Sequence, residues 1–336
     1  MKTCRGRPAR DFRGPLGRGN RADCEAETAS PLAGETPATR GTPVFIHVLI
    51  VAALAGLAGL AGCASPQPYL TRERLDRGLV MVFTGIEGRS PFNGEIVRGL
   101  AEGGVDGGIE LVDWTWHVPG AYLVSLRTES RNRAKAEDLA GRITLYKVKH
   151  PGRPVVLVGQ SGGAAMAVWA AEYLAPTMQV DGIILLAAAL SPDYPLEAAL
   201  ARSDRGIVSF CSQRDFLFLG AGTQVFATMD GKHVQSAGKV GFTVPADSPQ
   251  ASLYRRLFQV QWDEQMEKAG HSGWHMTSGA GGFVRQYVAP LVRSPKWDRQ
   301  VLQQVLNGAT SAPATAPASG HASDPWWRRL WHRLAG

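Results

Sequence analysis

The sequence predicts an α/β protein built on a mainly parallel, twisted sheet with helices on both faces. Short apolar runs recur along the middle of the chain, helical patterns fill the gaps between them, and glycines punctuate the ends. The first run, 79–84, reads Leu-Val-Met-Val-Phe-Thr and stops at Gly85. A strand buried on both faces of a parallel sheet reads this way, as a continuous apolar stretch without alternation. Four further runs at 109–114, 154–159, 182–188 and 206–211 are of similar length, and most are rich in β-branched residues.

The intervening segments carry the other period. Ala136, Leu139, Ala140 and Ile143 are spaced to share one face of a helix, and 164–174 is Ala-rich with large apolar residues interspersed. Strands alternating with amphipathic helices make βαβ units. The folded domain is expected over 79–293. Beyond it, 294–325 reads as a linker, because Ala, Pro, Ser and Thr in 309–325 offer too little apolar surface to fold. The closing segment 326–336 holds Trp327, Leu330, Trp331 and Leu334 on one side of a notional helix, with Arg328, Arg329 and Arg333 largely off it. That pattern suits a lipid headgroup interface or an aromatic tail without structure.

The formal net charge of the 336 residues is +7. Residues 1–42 carry eight Lys/Arg against five Asp/Glu, and Arg328, Arg329 and Arg333 add three more cations at the far end. The middle of the chain is therefore near neutral, which argues against a nucleic-acid partner. The four cysteines, Cys4, Cys24, Cys63 and Cys211, form no CxxC pair and no zinc spacing. Cys211 lies in an apolar run and is expected in the core.

No charged residue occurs from Gly41 to Thr71, and 44–62 is almost wholly apolar after an Arg-rich flank. Such a stretch is a signal peptide or a membrane span. It ends in Leu60-Ala61-Gly62-Cys63, which resembles the lipobox of bacterial lipoproteins. The resemblance implies that 1–62 is a leader, that Cys63 carries a diacylglycerol anchor, and that 63–78 is a tether. The chain would then sit at the bacterial cell envelope, membrane-anchored and facing away from the cytoplasm. An uncleaved transmembrane anchor is the alternative and gives the same topology.

The strongest chemical signal is Gly159-Gln160-Ser161-Gly162-Gly163. It follows an expected strand and opens an expected helix, the context that G-x-S-x-G requires. Glycines on either side let a sharp turn hold the serine in a strained backbone conformation without side-chain clashes, and the helix N-terminus favours developing negative charge. On these residues the chain resembles the α/β-hydrolase superfamily over 79–293.

The resemblance implies a nucleophile, an acid and a histidine in that chain order. Ser161 is the nucleophile. Asp215, just past the run 206–211, is the candidate acid, with Asp193 as its rival. His275 is the candidate base, placed where the chain should turn into a final helix over 283–288, and His271 is the alternative. The oxyanion hole would use the N–H groups of Gly162 and Ile86, although Thr84 stands where lipases and esterases often carry a histidine.

A carboxylic ester is the expected substrate, a small molecule or a lipid, with Phe216, Leu217, Phe218 and Leu219 as a candidate acyl pocket. No metal or other cofactor is implied. Gly273 breaks any helical pairing of His271 with His275, and the glycine-rich stretches lack phosphate-loop spacing. A catalytically inactive envelope scaffold and an acyltransferase using the same three residues are the competing functions.

Overall fold

The computed structural model describes residues 67–116, 128–215, 228–245 and 249–311. The expected leader 1–62, Cys63, the candidate pocket 216–219 and the segment 326–336 lie outside the described residues.

Six parallel strands form one sheet in the order β2-β1-β3-β4-β5-β6. They are β1 (Leu79–Phe83), β2 (Gly108–Val112), β3 (Val155–Gln160), β4 (Gly182–Leu186), β5 (Ile207–Cys211) and β6 (Leu257–Gln261). Among the described residues four helices exceed ten residues: α1 (Pro91–Glu102), α2 (Glu129–Lys149), α3 (Gly162–Glu172) and α4 (Arg299–Ser311). The first five strands lie on the five apolar runs of the sequence. Two end earlier than expected, β2 at Val112 and β4 at Leu186, and Ala187 leaves the sheet with φ 49°.

Alternation of side chains along each strand divides the core in two. Leu79, Met81 and Phe83 of β1 join Val155 and Leu157 of β3 against α2 and α3. Val80 and Val82 point the other way, with Val156 and Val158, toward α1 and the helical stretch 281–293. Both faces are thus covered, which is why these strands read as unbroken apolar runs.

α1 begins with Ser90 accepting a hydrogen bond from the Asn93 N–H and with Pro91 in its first turn. It buries Ile96 and Leu100, each worth about 1.5–3 kcal/mol against exposure. In α2 the expected face of Ala136, Leu139, Ala140 and Ile143 is buried, with Asn132 and Tyr146 continuing it.

Three boundaries differ from expectation. The segment 63–78 is part of the fold from Gln67 onward: the Leu111 N–H donates to Gln67 Oε1 at 2.8 Å and the Ile109 N–H to Tyr69 O at 2.9 Å. Leu70 and Leu75 also pack on the core. The segment 294–325 is likewise not a linker from its start, because Trp297 and Leu302 are buried and α4 runs on to Ser311. Third, β6 lies beside β5, where the alternation Leu-Phe-Gln-Val-Gln marks an edge strand with a wet face rather than a continuous run.

The chain order reverses between β1 and β3: β2 lies outside β1, and the chain then crosses back to β3. In open parallel sheets the crevice for a ligand opens at such a switch, beyond the carboxyl ends of the strands. Gly85–Ile86 after β1 and Ser161 after β3 both stand there.

Candidate active site

Ser161 occupies the single residue between β3 and α3, with φ 57° and ψ −122°. That conformation is costly for a residue with a Cβ, by about 1–3 kcal/mol, and the surroundings hold it in place. The Ser161 N–H donates to Leu186 O at 2.9 Å, and its carbonyl accepts from Ala164 N at 3.0 Å and Ala189 N at 3.1 Å. The two outer glycines of the motif are required by space. A Cβ on Gly159 would lie 2.3 Å from Gly163 O, and one on Gly163 would lie 2.3 Å from Phe83 O. Strand β1, strand β3 and the start of α3 therefore meet with nothing but backbone between them.

The bend delivers Ser161 Oγ to 2.8 Å from His275 Nε2. The other ring nitrogen of His275, Nδ1, lies 2.8 Å from Asp215 Oδ1. The three residues are 3%, 5% and 6% exposed in the order Ser161, His275, Asp215. Asp215 sits four residues past the end of β5, and its N–H closes a turn on Ser212 O at 2.8 Å. Its second oxygen, Oδ2, finds no partner among the described residues. His275 opens a 3-10 turn, His275–Gly279, and its carbonyl accepts from Ser278 Oγ at 2.7 Å and from Gln160 Nε2 at 3.4 Å.

The rival residues are placed elsewhere. His271 Nδ1 lies 3.0 Å from Thr277 Oγ1 and accepts from the Gly273 N–H at 3.3 Å, with its ring edge-on to Phe283. Burial pushes its pKa down to about 3, so it is neutral, a packed core imidazole. Asp193 is at the surface, paired with Lys232 at 2.7 Å. Its carboxyl is held below the ordinary range by hydrogen bonds from the Lys232 and Ser191 side chains.

Gly162 and Ile86 face one another: a Cβ on Gly162 would meet Ile86 Cγ2 at 2.8 Å and Trp114 Cζ2 at 3.0 Å. The loop carrying Ile86 is closed by a turn from the Gly88 N–H to Gly85 O at 3.2 Å. Asn93, fully buried, fastens it by donating to Gly88 O at 2.8 Å and to Glu87 Oε1 at 2.9 Å. Glu87 keeps contact with solvent, yet the protein packed around its carboxyl raises its pKa. Hydrogen bonds from its own backbone and from Asn93 oppose that rise.

Sequence reasoning missed the residues that shape this corner. Trp114 is buried, donates from Nε1 to Thr84 O at 2.7 Å, and closes over Gly162 together with Met229. Trp114 was visible as the last residue of an apolar run. Met229 had no signal at all, since it arrives from a loop between β5 and β6. Among the described residues no group of three His, Cys, Asp or Glu is gathered that could hold a metal ion.

No family model matches the chain, and no curated protein matches it. Solved structures similar to it include Aspergillus fumigatus lipase B, at TM-score 0.42 and 13% identity over 74% of this chain and 59% of that one. RedJ, solved with a polyethylene glycol molecule in its active site, is similar at TM-score 0.30 and 13% identity, over 60% of this chain and 89% of that one. This chain thus spans less than two thirds of the length of the lipase. Independently of those likenesses, the sheet order with its reversal at β1 and β3, and the serine on the bend that follows β3, make this an α/β-hydrolase fold.

Proposed function

We propose that the chain is a serine hydrolase acting on a carboxylic ester, anchored at the bacterial cell envelope through Cys63. The observation that carries the chemistry is the unbroken line from Ser161 Oγ through the His275 ring to Asp215 Oδ1, with 2.8 Å at each junction. In this reading His275 Nε2 removes the serine proton as Oγ attacks the acyl carbon. Asp215 fixes the imidazole tautomer and faces the imidazolium that forms. The carbonyl oxygen, becoming an anion, is received by the N–H groups of Gly162 and Ile86. His275 then returns the proton to the leaving alcohol, and water repeats the sequence on the acyl-enzyme.

The anchor rests on the sequence: Leu60-Ala61-Gly62-Cys63 closes an apolar stretch behind an Arg-rich flank. A fluorophosphonate probe tests the chemistry. The wild type should be labelled and Ser161→Ala should not. An unlabelled wild type would instead favour an inactive scaffold. Hydrolysis of p-nitrophenyl esters of increasing chain length, with and without a competing alcohol, then identifies the acyl group and separates hydrolysis from transfer.

A further inference from the structure

We infer that the edge of the domain formed by β2 and α2 lies flat on an anionic phospholipid bilayer, the one that holds the Cys63 anchor. The inference deepens the proposed envelope reading and rests on it. It begins with where the chain leaves the fold. Gln67 and Tyr69 run along β2, accepting from Leu111 and Ile109, so the polypeptide departs from this edge of the sheet and not from the β6 edge. Cys63 is four residues upstream, and four residues span at most about 14 Å. A lipid on Cys63 therefore holds the β2 edge within that distance of the membrane surface.

The surface found there is suited to such contact. Arg131, Lys135, Arg142, Leu145 and Lys149 follow one another along α2 at steps of four, seven, three and four residues, and so share one flank of the helix. Lys135 and Lys149 have no carboxylate partner among the described residues. A cation recurs along this row about every turn or two, and Asp138 is the one acid of α2 in the same register. From the β2 side Glu110 pairs with Arg142 and Asp113 acts on Arg131, which leaves Lys135 and Lys149 as the cations open to lipid phosphate.

Large apolar side chains stand out among them. Leu145 is 53% exposed and Val148 69%, one turn apart at the end of α2, while Trp116 is 43% exposed beyond β2, with the Arg131 guanidinium 5.2 Å from its ring centre. Beside Leu145 a groove of about 330 Å³ opens between Leu70, Leu75 and the α2 flank. Exposed aliphatic and indole groups set among cations are the composition that enters a headgroup layer, with the cations meeting lipid phosphates and each contributing near the surface. Among the described residues no helix is long and apolar enough to cross a membrane.

The test uses the full chain bound to vesicles, with p-benzoylphenylalanine replacing Leu145 in one protein and Arg255 in another. Arg255 is exposed beside the opposite edge of the sheet, next to β6. After irradiation on phosphatidylglycerol vesicles, position 145 should yield several-fold more lipid adduct than position 255. Lys135→Glu with Lys149→Glu should remove that several-fold excess and bring the adduct at 145 down to the level at 255. Equal adducts at both positions, or adducts at 145 unaffected by the charge reversals, would overturn the inference. Incorporation of labelled palmitate, and its loss in Cys63→Ser, decides the anchor separately. If it fails while position 145 still captures lipid, the docking face stands and the lipoprotein reading falls.

Discussion

His275 Nε2 stands 2.8 Å from Ser161 Oγ across 114 residues of sequence, the serine arriving on the turn after β3 and the histidine on the segment after β6. Ser161 is fixed by backbone hydrogen bonds to Leu186 at the end of β4 and to Ala189 in the loop after it, while His275 is fixed through Asp215 and through its own carbonyl. A general base held this way needs no rearrangement before it acts. Ser161→Ala and His275→Ala are each expected to lower kcat by about a millionfold, and Asp215→Asn by about ten thousandfold. His271→Gln should leave kcat within a few-fold of wild type. Ester hydrolysis by the four purified variants checks this, and a large loss in His271→Gln alone would reverse the assignment of the base.

The strained turn makes a prediction of unusual sign. Glycine ordinarily destabilises a protein relative to alanine, by about 0.5–1 kcal/mol, through the entropy of the unfolded chain. At Ser161, with φ 57°, alanine retains the steric cost and glycine loses it. Ser161→Gly should therefore be more stable than Ser161→Ala by about 1 kcal/mol in urea unfolding. Both variants lack the hydroxyl, so the comparison isolates the backbone. The reverse order would mean that the bend stores no strain.

His271 gives a pH dependence. Its folded pKa is pushed down to about 3 by burial, below the ordinary value of about 6.5 for a histidine in an unfolded chain. The unfolded state therefore binds the proton first, and the stabilisation present above pH 6.5 is lost as the pH falls toward 3. The slope from this one group approaches about 1.4 kcal/mol per pH unit. Urea midpoints measured from pH 7 to pH 4 should fall more steeply for the wild type than for His271→Gln. Parallel profiles would refute the buried neutral imidazole.

How far the sequence foretold this molecule depends on whether each feature is local. Val80, Val82, Val156 and Val158 declare a strand by themselves, since a residue buried on either face of a sheet has no polar neighbour to interrupt it. Ser161 was legible because its motif is contiguous: the clash that keeps Gly159 bare is with Gly163 O, four residues on, although the one at Gly163 is with Phe83 O on the neighbouring strand. The choice of His275 over His271 was not local, because both lie in one glycine-rich turn and only the three-dimensional path turns one ring toward Ser161 and the other toward Phe283. Strand β6 was hidden by its glutamines, Gln259 and Gln261, which are exposed at an edge that has no further strand beside it among the described residues.

The end of the domain was misjudged because composition was read past the point where it applies. Ala, Pro, Ser and Thr dominate only after Thr310, whereas Trp297 sits upstream as an isolated aromatic that no periodicity announces. It is buried, donates from Nε1 to Leu291 O at 2.9 Å, and fills the space that a side chain on Gly182 would need, with Cη2 2.3 Å from where that Cβ would be. The start of β4 is thus shaped to receive a ring from beyond Arg293. Trp297→Ala should cost about 3 kcal/mol or more, a loss of core contact together with an empty volume and an unpaired carbonyl. A thermal or urea melt reads it directly. If the variant melts with the wild type, residues beyond Arg293 are an appendage and not part of the fold.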